Sequence, residues 1–320
     1  LCGCLICHHK RLLFILLTGW GLVGCGQRAA SPTTETAPSV APSAPRVSTS
    51  GYIKYWPGTL PIVISVPHDG AVMPLDIPER TEGVTVRDTY SRALAEAIRA
   101  ALIKKFGRAP HLIVCEISRR KVDCNRELAV ATQGHPKAIQ AWQEFHGFID
   151  TAEQSVLAQT PHGLYLDIHS HAHPNKRIEI GYLLKPADLK LTDHELDTDE
   201  TVRARSSIRQ LGRLTPTGFA ELVRGQTSLG GLLEARGLAA VPSPKQTLAA
   251  GEPYFNGAYD IVAHGSRDKA QLDGIQLEVP VQMRDTAEHR AATALALADA
   301  LEVYFERHFR MKLTADPVGR

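Results

Sequence analysis

Gly163-Leu164-Tyr165-Leu166-Asp167-Ile168-His169-Ser170-His171-Ala172-His173 is the stretch from which the rest of the chain is best read. Its first half carries large apolar residues, and its second half delivers an aspartate and three histidines within a few positions. That is the pattern of a buried strand emptying into a polar loop. Imidazole nitrogens suit zinc, and an Asp two residues before a His can serve as the acceptor that orients the ring. The stretch therefore reads as a strand ending either in a metal site or in a solvated, idle histidine cluster.

Working outward, Pro61-Ile62-Val63-Ile64-Ser65-Val66 is a β-branched run closed by Pro67-His68-Asp69-Gly70, a strand feeding a tight loop. From Asp88 onward Tyr90, Leu94, Ile98, Leu102 and Phe106 recur every four residues, the stripe of an amphipathic helix. His111 to Ile117 is a second strand, ended by the polar loop Ser118 to Arg126. A second helix runs from about Lys137 to Gln159, with Ile139, Trp142, Phe145, Ile149, Ala152 and Val156 on its buried stripe.

After the histidine-bearing strand, Arg177 to Leu184 reads as a strand with one wetter face. Thr192 to Gly237 reads as helices broken at Gly230-Gly231 and Gly237, and Val241 to Pro244 as a loop. Gly274 to Val279 is the last strand, and a closing helix is opened by Asp285 with Glu288 three residues on. Strands separated by helices predict an α/β fold, a mixed, largely parallel central sheet flanked by helices. Ligands bind such sheets where the strands end. His68, the loop Arg119 to Arg126, His169 and Glu278 all fall on that edge.

The N-terminal region has a different character. Lys10-Arg11 precede the apolar run Leu12 to Leu17, which continues to Leu22-Val23-Gly24-Cys25; this predicts an export signal too short for a membrane-spanning helix. Leu22-Val23-Gly24-Cys25 resembles the lipobox of bacterial lipoproteins, which implies lipidation at Cys25 and a protein of the cell envelope, periplasm-facing or anchored to the outer membrane. Leu1 to His9, with Cys2, Cys4 and Cys7, is assigned no role. The expected organisation is a signal segment over 1–25, an Ala-, Pro-, Ser- and Thr-rich disordered tether over 26–50 and a single zinc-hydrolase domain over 51–320. Lys and Arg number 36 against 34 Asp and Glu, with the signs interspersed, which argues against a nucleic-acid surface. Cys115 and Cys124 are either buried thiols or one disulfide.

Four strings, Ser65-Val66-Pro67-His68-Asp69-Gly70, Val122-Asp123-Cys124-Asn125-Arg126, Asp167-Ile168-His169-Ser170 and Gln276-Leu277-Glu278, lie in order and in register with the predicted strands. Together they resemble the N-formylglutamate amidohydrolase family over about Pro61 to Arg310, and they are similar to motifs of zinc carboxypeptidases, whose phosphorylase/hydrolase-like fold that family shares. The resemblance implies a zinc ion held by His68 and His169. The carboxypeptidase pattern places a Glu three residues after the first His, where this chain has Ala71, so the third ligand lies elsewhere. Asp88 is the choice, with Glu79 the alternative and a plain helix cap the other role open to Asp88.

The same resemblance makes Glu278 the group that accepts the proton of the attacking water, and Arg126, aided by Asn125, the holder of a substrate carboxylate. Arg119 and Arg120 either offer a second positive contact or stand in a solvated loop. Tyr254, Asn256 and His264 fall in a Gly-rich stretch that resembles a substrate-covering loop. His171 and His173 remain outer-shell, substrate-facing or solvated groups rather than ligands. The implied partner is a small carboxylate-bearing N-acyl substrate, with the membrane met only through the lipid anchor. A cell-wall amidase or carboxypeptidase and an anchored, non-catalytic binding protein are the competing expectations.

Overall fold

The computed structural model describes residues 44–314 apart from 247, 249, 250 and 269. Cys25 and most of the expected tether lie outside the described residues. Eight strands form one sheet: β1 (Arg46–Val47), β2 (Ile53–Trp56), β3 (Ile62–Val66), β4 (His111–Cys115), β5 (Leu164–His171), β6 (Ile178–Gly181), β7 (Ala240–Val241) and β8 (Asp273–Pro280). Their order is β1-β2-β4-β3-β5-β8-β6-β7. The four central strands β4, β3, β5 and β8 are mutually parallel, while β2 pairs antiparallel to β4 and β6 antiparallel to β8. The sheet is thus mixed and largely parallel.

The helices are α1 (Ser91–Phe106), α2 (Leu128–Thr132), α3 (Pro136–Leu157), the short α4 (Asp193–Thr198), α5 (Glu200–Arg205), α6 (Arg209–Leu214), α7 (Phe219–Arg224) and α8 (Leu229–Glu234), then α9 (Tyr259–His264) and α10 (Ala287–Tyr304). Ile62, Ile64, Leu112, Val114, Leu164, Leu166, Ile275 and Leu277 point to one face and pack with α1 and α10. Val63, Ile113, Cys115 and Tyr165 point to the other and pack under α3. Because side chains alternate along a strand, the second face also receives Ser65, Asp167, His169, Gln276 and Glu278. One face is therefore apolar throughout, and the other turns polar towards the strand ends.

Several local expectations are corrected. The fold starts before Gly51, since Arg46–Val47 already pairs with β2. Asp88 does not cap α1: the helix begins after Tyr90, and its Arg92 N–H is taken by Asp69 Oδ2 at 2.9 Å. The last helix is capped by Thr286, which accepts from His289 N–H at 3.1 Å, not by Asp285. Gly230-Gly231 does not break a helix but sits within α8, where a Cβ on Gly230 would lie 2.1 Å from the Pro242 carbonyl oxygen. The strand expected to have a wet face is buried throughout, Glu179 included. Cys115 and Cys124 are free buried thiols, their sulfurs 3.7 Å apart.

Candidate metal centre and its cleft

Strand register assembles the first part of the site. Ser65 pairs with Asp167 and Asp167 with Gln276; one step on, His169 pairs with Glu278 and Glu278 with Glu179. Partners in register project to the same side, so two adjacent polar rows face the same way. His68 joins from the loop after β3, held against the end of β4. A Cβ on Gly70 would lie 2.2 Å from the Ile117 carbonyl oxygen, and only glycine permits that approach.

Three atoms converge: His68 Nδ1 and His169 Nδ1 are 3.1 Å apart, and Asp88 Oδ2 lies 3.0 Å from the latter and 3.5 Å from the former. Ligands about 2.0–2.1 Å from a tetrahedral zinc ion are separated by a little over 3 Å, so the triangle has the dimensions of one face of such a site. Each ring is gripped from behind by a carboxylate. His68 Nε2 lies 2.6 Å from Asp123 Oδ1, and His169 Nε2 lies 2.6 Å from Asp167 Oδ2. Such a bond directs the Nδ1 lone pair forward and raises its basicity. The residues present fit a divalent ion.

The carboxylates are themselves held. Asp167 Oδ1 accepts from Ser65 Oγ at 2.6 Å, Asp123 Oδ2 accepts from Arg119 Nε at 2.9 Å, and Asp88 Oδ2 accepts from Ser170 N–H at 3.2 Å. Burial opposes charge on Asp88 and Asp123. Attraction to the His169 and His68 rings outweighs it at Asp88, and attraction to His68, with Arg119, outweighs it at Asp123, leaving both well below the usual carboxylate range. Burial pushes Glu278 up to about 8, against the pull of His169 and with the nearby Asp88, Glu179 and Asp167 adding to it. Gln276 Nε2 donates to Glu278 Oε1 at 3.0 Å.

His68, Asp88, His169, Gln276 and Glu278 line a cleft of about 460 Å³ whose wall also includes Arg119, Arg126, Ser170, Phe255, Gly257 and Ala258. Arg126 is half-buried; its Nη1 donates to the Asn125 carbonyl at 2.6 Å, and it has no carboxylate partner among the described residues. Asn125 is committed, accepting from Asp260 N–H at 2.8 Å and placing Nδ2 3.0 Å from His169 Nε2.

Other expected residues fall elsewhere. Arg119 does not stand free for substrate, because Asp123 holds it. Arg120 and the alternative ligand Glu79 pair with each other at 2.6 Å, with side chains 56% and 46% exposed, and neither lines the cleft. Tyr254 turns its hydroxyl inward to the Ile180 carbonyl, and the Asn256 carbonyl accepts from Leu183 N–H at 2.7 Å, so their neighbours Phe255, Gly257 and Ala258 face the cleft instead. His264 lies at the end of α9 beside His146 and does not line it either.

His171 is satisfied internally, between the Arg177 carbonyl and His173 N–H, while His173 Nδ1 lies 2.7 Å from Glu179 Oε1. Asp123, Gln276, Phe255 and Asp260 were missed from sequence. Asp260 is fully buried without a hydrogen bond to either oxygen, and burial together with the charge of Asp167 pushes it well above its ordinary range.

No protein-family model and no curated protein matches this chain. Among solved structures, an N-formylglutamate amidohydrolase from Ralstonia eutropha is 13% identical at a TM-score of 0.47, covering 81% of this chain and 99% of that one. A gene product from Agrobacterium tumefaciens is 14% identical at 0.45, covering 78% and 93%. A metallo-carboxypeptidase from Pseudomonas aeruginosa is 12% identical at 0.40, covering 83% and 64%.

Proposed function

We propose that the protein is a zinc-dependent amidohydrolase that cleaves the amide C–N bond of a small carboxylate-bearing N-acyl amino acid, N-formylglutamate-like in its chemistry. The observation that carries this is the triangle of His68 Nδ1, His169 Nδ1 and Asp88 Oδ2, with edges of 3.0 to 3.5 Å, opening on the cleft that Glu278 and Arg126 also line. Zinc in such a site supplies Lewis acidity and lowers the pKa of water towards neutrality.

The remaining work belongs to side chains. Glu278, in register with His169 on the same side of the sheet, takes a proton from the attacking water and returns it to the leaving nitrogen as the C–O bond forms and the C–N bond breaks. Arg126 forks onto the substrate carboxylate and fixes which amide faces Glu278. Asp123 and Asp167 hold the two imidazoles in place.

The test is formate release from N-formyl amino acids, with N-acetyl and N-succinyl analogues and muropeptides in parallel. Glu278→Gln is expected to retain zinc while losing about 10²- to 10⁴-fold in turnover. An unchanged rate would remove Glu278 from the mechanism, and release of peptide from muropeptides alone would move the substrate to the cell wall. Lipid attachment at Cys25 belongs to the same proposal. Palmitate labelling that persists in Cys25→Ser would overturn it.

A further inference from the structure

A second convergence of ligand atoms lies outside the cleft, and it does not depend on the amidohydrolase reading. Asp150 and Glu153 stand three residues apart on α3, hence on one helical face, and His264 closes α9 against them. His264 Nδ1 lies 3.3 Å from Glu153 Oε1 and 3.7 Å from Asp150 Oδ1. All three ligand atoms fall within 4.8 Å of one another.

Hydrogen-bond direction fixes what His264 presents there. The Cys124 carbonyl can only accept, so His146 Nε2, 3.1 Å away, donates to it. In the neutral form of this buried ring Nδ1 is then an acceptor, and it lies 2.9 Å from His264 Nε2, which must donate. His264 has thereby spent its one neutral-form proton, and its Nδ1 lone pair faces two carboxylates. Protonating the ring gives an incomplete remedy: Glu153 Oε1, 3.3 Å from Nδ1, is buried without a well-formed hydrogen bond, and burial pushes its carboxyl up against the pull of His264. One positive centre among the three atoms satisfies the lone pair and both carboxylates together.

We propose that Asp150, Glu153 and His264 form a second divalent-cation site, with one nitrogen and two oxygen donors of the kind zinc accepts. Asp150, 59% exposed, gives an ion a route from solvent and leaves room for water as a further ligand. The site ties α9 to α3. Gly257 and Ala258, just before α9, line the cleft, and Asp260 within α9 holds Asn125, so the ion would act as a clamp on the cleft wall.

The purified full chain, stripped with chelator and titrated calorimetrically with zinc, is expected to bind two equivalents. Asp150→Asn, an exposed substitution, should weaken one of them by at least about tenfold. Glu153→Gln should abolish that same one, and Asp88→Asn only the other. Identical stoichiometry and affinity in wild type and Asp150→Asn would overturn the proposal, as would nitrogen NMR showing His264 Nδ1 protonated in the zinc-saturated protein. A wild type binding a single equivalent that Asp150→Asn removes would uphold this site and refute the one in the cleft.

Discussion

Paired substitutions behind the two histidines give the sharpest test of the metal centre. Asp167→Asn keeps the shape and both hydrogen bonds: the amide oxygen accepts from His169 Nε2, and the amide nitrogen faces Ser65 Oγ, which can accept as well as donate. What it loses is the charge behind the ring, and removing such a partner typically weakens metal binding about 10- to 100-fold, or roughly 1.4–2.8 kcal/mol. Asp123→Asn loses the same support behind His68. It also turns an amide N–H towards Arg119 Nε, 2.9 Å from the present Oδ2, and Arg80 Nη1, 3.5 Å away. Arg119 is buried and would keep only the longer contact of its Nη1 with Asp88 Oδ1, 3.8 Å away, and breaking its buried pair with Asp123 costs up to about 3–5 kcal/mol.

Both variants should therefore release zinc to a competing chromophoric chelator at similarly lowered concentrations. Only Asp123→Asn should show a large fall in its urea midpoint, measured with zinc absent. Wild-type zinc affinity in both variants would refute the claim that the Nδ1 atoms face a common ion. Equal stability losses would refute the assignment of Arg119 to Asp123.

Replacing Arg126 by Ala should raise KM for carboxylate-bearing amides by about 10- to 100-fold, the cost of a charge-assisted hydrogen bond, with little change for a matched substrate whose acid is esterified. Equal effects on the two would remove its role in recognition. Gly70→Ala, whose new methyl would press on the backbone of Glu116 and Ile117, should cost about 1–3 kcal/mol and weaken zinc through displacement of His68; a variant crystallising with His68 unmoved would contradict this. Burial raises Asp273 to about 7, against hydrogen bonds from Ser266 and the backbone. A raised carboxyl binds its proton more tightly in the folded state, so its contribution is complete below about pH 4 and is lost as pH climbs through 7, up to about 4 kcal/mol. Asp273→Asn should flatten that decline in pH-dependent unfolding, and parallel curves for variant and wild type would exclude it.

The four strings were legible in sequence because each is local. Alternation along a strand decides which residues share a face, so once Asp167, His169, Gln276 and Glu278 sit in strands their common side follows. Register then sets His169 beside Glu278. The loops were not legible in this way. Asp88 faces His169 rather than capping α1 because Asp69, remote in sequence, takes the helix N–H. Arg119 and Arg120, adjacent in the chain, part company: one is buried against Asp123 and the other lies on the surface with Glu79.

Composition and periodicity thus determined the layered α/β architecture and which residues stand at the strand ends, since backbone geometry alone enforces those. Only the tertiary structure decided that Asp88 meets the two imidazoles and Glu79 does not, that Asp123 stands behind His68, that Arg126 has no carboxylate partner among the described residues, and that His264 joins a cluster of its own. Those choices depend on where separate loops meet in space and on which buried charge finds a partner first, and no local pattern encodes either.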